Sequence, residues 1–250
     1  MFSVCDRVKT PDKLTDTLLK LKSMGYENAQ FSGIPDMPAE VWAEISKTTG
    51  MEIVCTHNDF DRIVNDTDSL IAEHRQYNCS VIGLGSMPSQ YIGTFEGVLE
   101  FIKVMEEPVK KIKAAGMSFS YHNHWWEFEP FKDAEGCAMD VMIERCADWL
   151  FLIDVAWVEY AGRSAVEYMQ KVGKARLRNI HLKDFKEKGV YESVCPCGKG
   201  IVPMPEIIKL CEAMGVENAL VEQDNASATE NSLAEMQCSY DYLRPLIVKA

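Results

Sequence analysis

From end to end the chain alternates short apolar runs with longer amphipathic stretches, a pattern that implies parallel strands joined by helices. Met1–Cys5, Asn28–Ser32, Glu52–Thr56, Ser80–Leu84, Ser118–His122, Trp149–Asp154, Asn179–Leu182 and Ala219–Val221 read as strands. Between them, Pro11–Met24, Ala39–Lys47, Asp66–Gln76, Phe95–Ala115, Ser164–Lys171, Met204–Met214 and Ser227–Leu243 carry apolar residues at helical spacing. Gly25 and Gly116 follow two of these as helix stops. About eight strand-then-helix units in 250 residues predict a single (β/α)8 TIM barrel over residues 1–250. A doubly wound open sheet is the alternative, weakened because no G-x-G-x-x-G follows the first strand. The lone Gly83-Leu84-Gly85 reads as close backbone approach at the barrel rim.

Composition narrows the function classes. Apolar residues at 47% against 26% charged place the chain among globular proteins rather than disordered ones. A net charge of -12 argues against nucleic-acid binding, because an acidic surface repels phosphates. Nine cysteines, an odd count in a chain of this size, do not suggest a disulfide framework. No basic segment followed by an apolar one opens the chain, and no apolar run approaches the ~20 residues of a membrane span. The expectation is a cytoplasmic protein with no membrane contact.

In a barrel of this kind the chemistry gathers at the C-terminal ends of the strands. Four of the five histidines (His57, His122, His124 and His181) fall there, while His74 is expected on a solvated helix face. Carboxylates follow the fifth, sixth and eighth strands, where burial is costly unless they are paired or bound to a metal. A divalent cation held by Glu127, Asp154, His181 and Glu222 relieves both the burial and the mutual repulsion. Three oxygens and one imidazole suit Mn²⁺ first, with Mg²⁺, Co²⁺ or Zn²⁺ as alternatives.

The segments YHNHWWEFEP, LIDVAWVEYAG, IHLKDF, CGKGIVPMPEI and LVEQDN occur in that order and carry a likeness. With them the sequence resembles the sugar phosphate isomerase/epimerase family of xylose isomerase-like barrels, over essentially its whole length. The resemblance implies one metal held at strands five to eight, onto which Asp154, His181 and Glu222 map directly. On strand five Glu127 is the assigned ligand, with His122 and His124 as alternatives. It also implies that Glu127 and Glu222 transfer protons. Relatives that epimerise ketoses often carry a histidine three residues after the strand-six aspartate; Trp157 stands there instead, so His124 is the substitute acid/base. Lys183 or His57 would hold a developing enolate oxygen, and His122 is a further substrate contact. Trp125 and Trp157 read either as a wall for a sugar ring or as a packed rim. The Cys195-Pro196-Cys197 loop reads as structural, with Lys199 within reach of a substrate phosphate.

The expected function is therefore a divalent-metal-dependent isomerase or epimerase of a small sugar or keto-sugar, working by proton abstraction beside a carbonyl through an enediolate. A lyase of the same fold is the alternative, cleaving a 3-oxo-glycoside or dehydrating an inosose by β-elimination. A third reading is a non-catalytic barrel that binds a sugar or a partner. A DNA-repair endonuclease is disfavoured by charge and histidine count. Relatives imply a homo-oligomer, dimer or tetramer.

Overall fold

The computed structural model describes residues 1–247; residues 248–250 of the expected single domain lie outside the described residues. Helix signals in the sequence are used as read. In α1 (Pro11–Met24) Thr10 accepts a hydrogen bond from Lys13 N, and Pro11 stands where its missing N–H costs nothing. Gly25, at φ 112°, ends that helix in a conformation that side chains other than glycine resist. Its buried face is Leu14, Leu18 and Leu21, one stripe of a 3.6-residue repeat. The helices α2 (Ala39–Thr49), α3 (Phe60–Asn65), α4 (Thr67–Gln76), α5 (Phe95–Ala114), α6 (Ala138–Arg145), α7 (Val155–Tyr160), α8 (Ala165–Val172), α9 (Met204–Met214) and α10 (Ser232–Ile247) complete the helical set.

Among the described residues seven strands run parallel: β1 (Asn28–Phe31), β2 (Glu52–Thr56), β3 (Val81–Leu84), β4 (Ser118–His122), β5 (Leu150–Asp154), β6 (Asn179–Leu182) and β9 (Asn218–Val221). Two short antiparallel strands, β7 (Asp184–Phe185) and β8 (Val194–Cys195), form a hairpin after β6. The sheet β3-β4-β5-β6-β9 has five strands, and β1-β2 is a separate pair. The two are drawn together at both edges. Asn58 N donates to Gly83 O at 2.9 Å across one seam, and Asn28 Nδ2 donates to Asn218 Oδ1 at 2.7 Å across the other.

The segment expected as a first strand does not pair. Phe2–Arg7 is a 3-10 helix that tucks Ser3 and Val4 inside. A five-residue apolar run satisfies either conformation, so its periodicity does not choose. Its polar groups find partners singly: Met1 N donates to Gln30 O, and Ser3 Oγ accepts from Gln223 N. The chain thus holds an α/β arrangement in which seven strands, not eight, lie in parallel register. The sequence pattern does not show helices α3, α6 and α7, each of eight residues or fewer, or the β7–β8 hairpin, whose strands have two residues each; such short elements carry a weak periodic signal.

The largest core cluster lies between the five-stranded sheet and its helices. Phe101 of α5 packs edge-on against Trp149 and Tyr121 at ring separations of 5.8 and 5.9 Å. Gly83 and Gly85 act as the sequence suggests. A Cβ on Gly83 would lie 2.2 Å from the Thr56 carbonyl oxygen, and one on Gly85 would lie 2.8 Å from His57 Nδ1. Both glycines let β3 approach the end of β2. Because the obstacle at Gly83 is backbone, Gly83→Ala forces the strands apart. The expected cost is about 1–3 kcal/mol, read as a lower urea midpoint with the same helical circular dichroism.

Candidate metal centre at the strand ends

Strand register brings the site together. Asp154 and His181 are direct neighbours across β5 and β6, and Glu222 follows β9 one residue after the Leu182–Val221 pair. His122 ends β4, two ladder steps from Asp154. The result is a buried group in which one ligand atom each from His122, Asp154, His181 and Glu222 lies within 4.8 Å of every other. His181 Nδ1 stands 3.0 Å from Glu222 Oε2 and 3.5 Å from Asp154 Oδ2, and His122 Nε2 is 3.5 Å from the same Asp154 oxygen.

The groups behind these atoms fix their orientation. His181 Nε2 is 2.6 Å from Gln30 Oε1, and His122 Nδ1 is 2.9 Å from the Gly85 carbonyl oxygen. Each acceptor requires the proton on that ring nitrogen, so the other nitrogen is the one turned toward the cluster. Asp154 Oδ1 accepts from Ala156 N and Trp157 N and caps α7, so only Oδ2 faces inward. Asn123 clamps the Asp154 backbone, its Oδ1 accepting from Asp154 N at 3.0 Å and its Nδ2 donating to Asp154 O at 3.3 Å.

His122 Nε2, Asp154 Oδ2 and His181 Nδ1 are buried and make no hydrogen bond of proper geometry. Orphaned buried polar atoms that converge on one point are costly, and a divalent cation satisfies all of them. Two nitrogens and two carboxylate oxygens, each braced from behind, fit such an ion.

Lys183 supplies the local positive charge. Its Nζ, fully buried, lies 2.8 Å from Asp154 Oδ2, 3.0 Å from Glu222 Oε2 and 2.8 Å from Asp224 Oδ2. Burial pushes the Asp154 and Glu222 carboxyls up, but Lys183 together with His181 and His122 outweighs it and holds both well below the usual carboxylate range. Asp224 goes the other way: burial lifts its carboxyl above the usual range despite Lys183. Burial works against the His181 imidazolium, yet Glu222 and Asp154 lift it to about 9. A bound cation would therefore have to displace that proton. His57 and His124 are held neutral, chiefly by burial and then by the neighbouring His122; His124 is lowered to about 2.

A cavity of about 510 Å³ opens onto the cluster, a size typical of small-molecule sites. Of the residues expected at the site, His57, His122, His124 and Glu222 line it; Asp154, His181 and Lys183 are fully buried and do not. Glu127 is not brought into the group. Its Oε1 accepts from Tyr121 OH at 2.6 Å and its Oε2 accepts from His124 N at 2.8 Å, so both oxygens are turned into the protein. The place assigned to it falls to His122, the alternative on the same strand. Trp125 and Trp157 do not line the cavity either. Trp157 is buried, stacked on Tyr191 at 5.7 Å and packed beside Trp125 at 5.0 Å. Lys183 Nζ also lies 4.5 Å from the Trp157 ring centre.

Other assignments are revised or extended. His74 is fully buried rather than solvated, bonding Thr56 Oγ1 at 2.7 Å because its face of α4 packs on β2. Lys199 is exposed and outside the cavity. The Cys195–Gly200 loop is ordered by Asp184, whose carboxylate accepts from Gly198, Gly200 and Val202 backbone N–H groups. Asp224, Gln30 and Asn123 were missed. Asp224 is two residues beyond Glu222, the spacing that returns a side chain to the same face of an extended segment. Gln30, a polar residue inside a buried strand, was a signal passed over.

With the geometry established, comparison with known proteins is informative at the level of fold. No family model matches the chain, and no curated protein sequence matches it. Solved structures do. A sugar phosphate isomerase/epimerase from Parabacteroides distasonis is 22% identical with a TM-score of 0.77, covering 94% of this chain and 93% of its own. A xylose isomerase-like TIM barrel protein from Mycobacterium smegmatis, in complex with magnesium, is 12% identical with a TM-score of 0.70, covering 97% and 90%. The probable 3-DHS dehydratase of Bacillus anthracis is 12% identical with a TM-score of 0.71, covering 92% and 93%. The chain has the xylose isomerase-like fold. No helix among the described residues is long and apolar enough to cross a membrane.

Two outcomes follow from this arrangement. His122→Ala should weaken Mn²⁺ binding, measured by titration calorimetry, by about a hundredfold, whereas Glu127→Gln should change it less than about threefold. Glu127 also predicts a pH effect. Burial raises its carboxyl from 4.5 to about 7, so the folded state binds the extra proton between those values and stability falls as pH rises through them. The window corresponds to about 3 kcal/mol. Urea unfolding of wild type and Glu127→Gln across pH 4.5–7.5 should show this slope only in the wild type.

Proposed function

We propose that the protein is a divalent-metal-dependent isomerase or epimerase of a small keto-sugar, working by proton transfer at a carbon next to a carbonyl. The observation that carries this reading is the convergence of His122 Nε2, Asp154 Oδ2, His181 Nδ1 and Glu222 Oε2 at the floor of a sugar-sized cavity. These four residues would hold the metal, with Mn²⁺ the first choice. When bound, the metal supplies Lewis-acid polarisation of a substrate carbonyl. The fold likeness to a protein named a sugar phosphate isomerase/epimerase supports the same class.

The chain's own residues then divide the work. Glu222 lines the cavity and stays ionised beside Lys183, so its carboxylate is the group that takes a proton from the substrate carbon. Asp224 lines the same cavity with a raised carboxyl, which suits it to return a proton. His57, neutral and with Nε2 free of any partner, offers a hydrogen bond to a substrate hydroxyl or developing oxyanion. Lys183 positions the Asp154, Glu222 and Asp224 carboxylates. Trp157 and Tyr191 wall off the Lys183 side and exclude water from it.

A second reading, β-elimination, has its own support. Glu222, its carboxyl held low, beside Asp224, its carboxyl raised by burial, places the better candidate base and the better candidate acid together, as needed to remove a proton and protonate a departing oxygen. A relative of the same fold is named a probable dehydratase.

Metal-stripped protein reloaded with Mn²⁺, incubated in D₂O with ketoses and 3-oxo-glucosides and followed by NMR, separates the readings. Deuterium at the carbon beside the carbonyl with an epimer or isomer accumulating is the expected result. Release of water or an aglycone would move the assignment to a lyase. Metal binding without exchange on any substrate would favour a sugar-binding barrel. Glu222→Gln should slow exchange by about 10²–10⁴-fold.

A further inference from the structure

A second cavity, of about 210 Å³, meets the cavity over the metal centre along Ser32, Gly33, His57, Asn58 and Asp59. It lies between the loops that follow β1 and β2, on the strand-end side of the protein. Nothing in the proton-transfer chemistry requires it, since the first cavity is already large enough for a small substrate.

Its lining has a definite chemical character. The Trp42 ring lies against Phe31 and Tyr77, with ring centres 5.0 and 5.2 Å apart. Two polar atoms at this site are buried and make no hydrogen bond: Trp42 Nε1 and Ser32 Oγ, the serine being only 6% exposed. Unpaired buried donors beside an aromatic surface match a ligand with both hydroxyl groups and C–H faces. The charge of the lining disfavours an anion in the second cavity. One cation, Arg62, faces three carboxylates, Asp36, Asp59 and Glu73, and its guanidinium is already bound to Glu73 at 2.8 Å. No lysine or arginine lines the first cavity, which carries Asp59, Glu222 and Asp224.

We infer that the two cavities form one substrate cleft for an unphosphorylated compound of two sugar-like units. The reacting unit lies over the metal centre, and an uncharged hydroxylated second unit lies against Trp42 and Ser32. This deepens the proposed function and rests on it for the identity of the reacting unit.

Binding measurements test the cleft independently of turnover. Titration calorimetry and saturation-transfer NMR on the Mn²⁺-loaded protein would compare glucose, glucose 6-phosphate and the disaccharides cellobiose, maltose, trehalose and sucrose. At least one disaccharide should bind about tenfold or more tighter than glucose, and glucose 6-phosphate should bind no tighter than glucose. Trp42→Phe keeps the ring and removes only the N–H; Ser32→Ala removes only the hydroxyl. Trp42→Phe should bring the disaccharide toward the affinity of glucose and leave glucose itself unchanged, and Ser32→Ala, at the boundary of both cavities, should weaken the disaccharide more than glucose. Equal or undetectable binding of glucose and all the disaccharides overturns the inference. So does tighter binding of the phosphate, or equal weakening of both ligand sizes by the variants. Isotope exchange on a monosaccharide ketose without any disaccharide preference would leave the proposed activity standing and remove the cleft. Disaccharide preference without exchange on any substrate would do the reverse.

Discussion

Three buried carboxylates at the ends of neighbouring parallel strands must be neutralised, and much of the site is organised around that demand. Asp154, Glu222 and Asp224 each approach the Lys183 ammonium within 3.0 Å. Removing such charges from water is expensive unless every one has a partner. Lys183 meets part of the demand, and the protonated His181 meets more. His122 Nε2 is aimed at the same Asp154 oxygen from 3.5 Å, an arrangement that a cation between them would satisfy.

The surrounding structure keeps these groups from moving apart. Gln30, the Gly85 carbonyl, Asn123 and the first turn of α7 each bind the outward side of an inward-facing group. Gly83 and Gly85 lack a Cβ because β2 and the His57 ring occupy the space. Restraint of this kind is what fixes ring orientation and tautomer in metal sites. It also explains how six histidine-to-carboxylate and lysine-to-carboxylate contacts coexist in one small, largely buried space.

Function follows from which of these groups reach the cavity. Glu222 and Asp224 do, and their carboxyls end displaced in opposite directions: burial raises and Lys183 lowers both, but His181 and His122 lower Glu222 further while Glu222 and Asp154 raise Asp224. Glu127 does not. Its carboxyl, raised by burial, is turned into the protein by hydrogen bonds from Tyr121 and His124 N.

Parallel α/β architecture was legible in the sequence because strand and helix periods differ and the chain keeps switching between them. β2, β4, β6 and α9 fall where the pattern predicts. Asp154, His181 and Glu222 were legible too, because charged residues directly after apolar strands have few inexpensive places to go. The first five residues were not, since a short apolar run carries no period, and they form a 3-10 turn where a strand was expected. The choice between Glu127 and His122 was also beyond the sequence. His122 ends β4 and Glu127 follows it by five residues, and only the turn at Trp126–Phe128 decides that Glu127 points back to Tyr121. Spacing along the chain determines which residues reach the strand ends; the direction each side chain takes depends on hydrogen bonds that exist only after distant segments have packed.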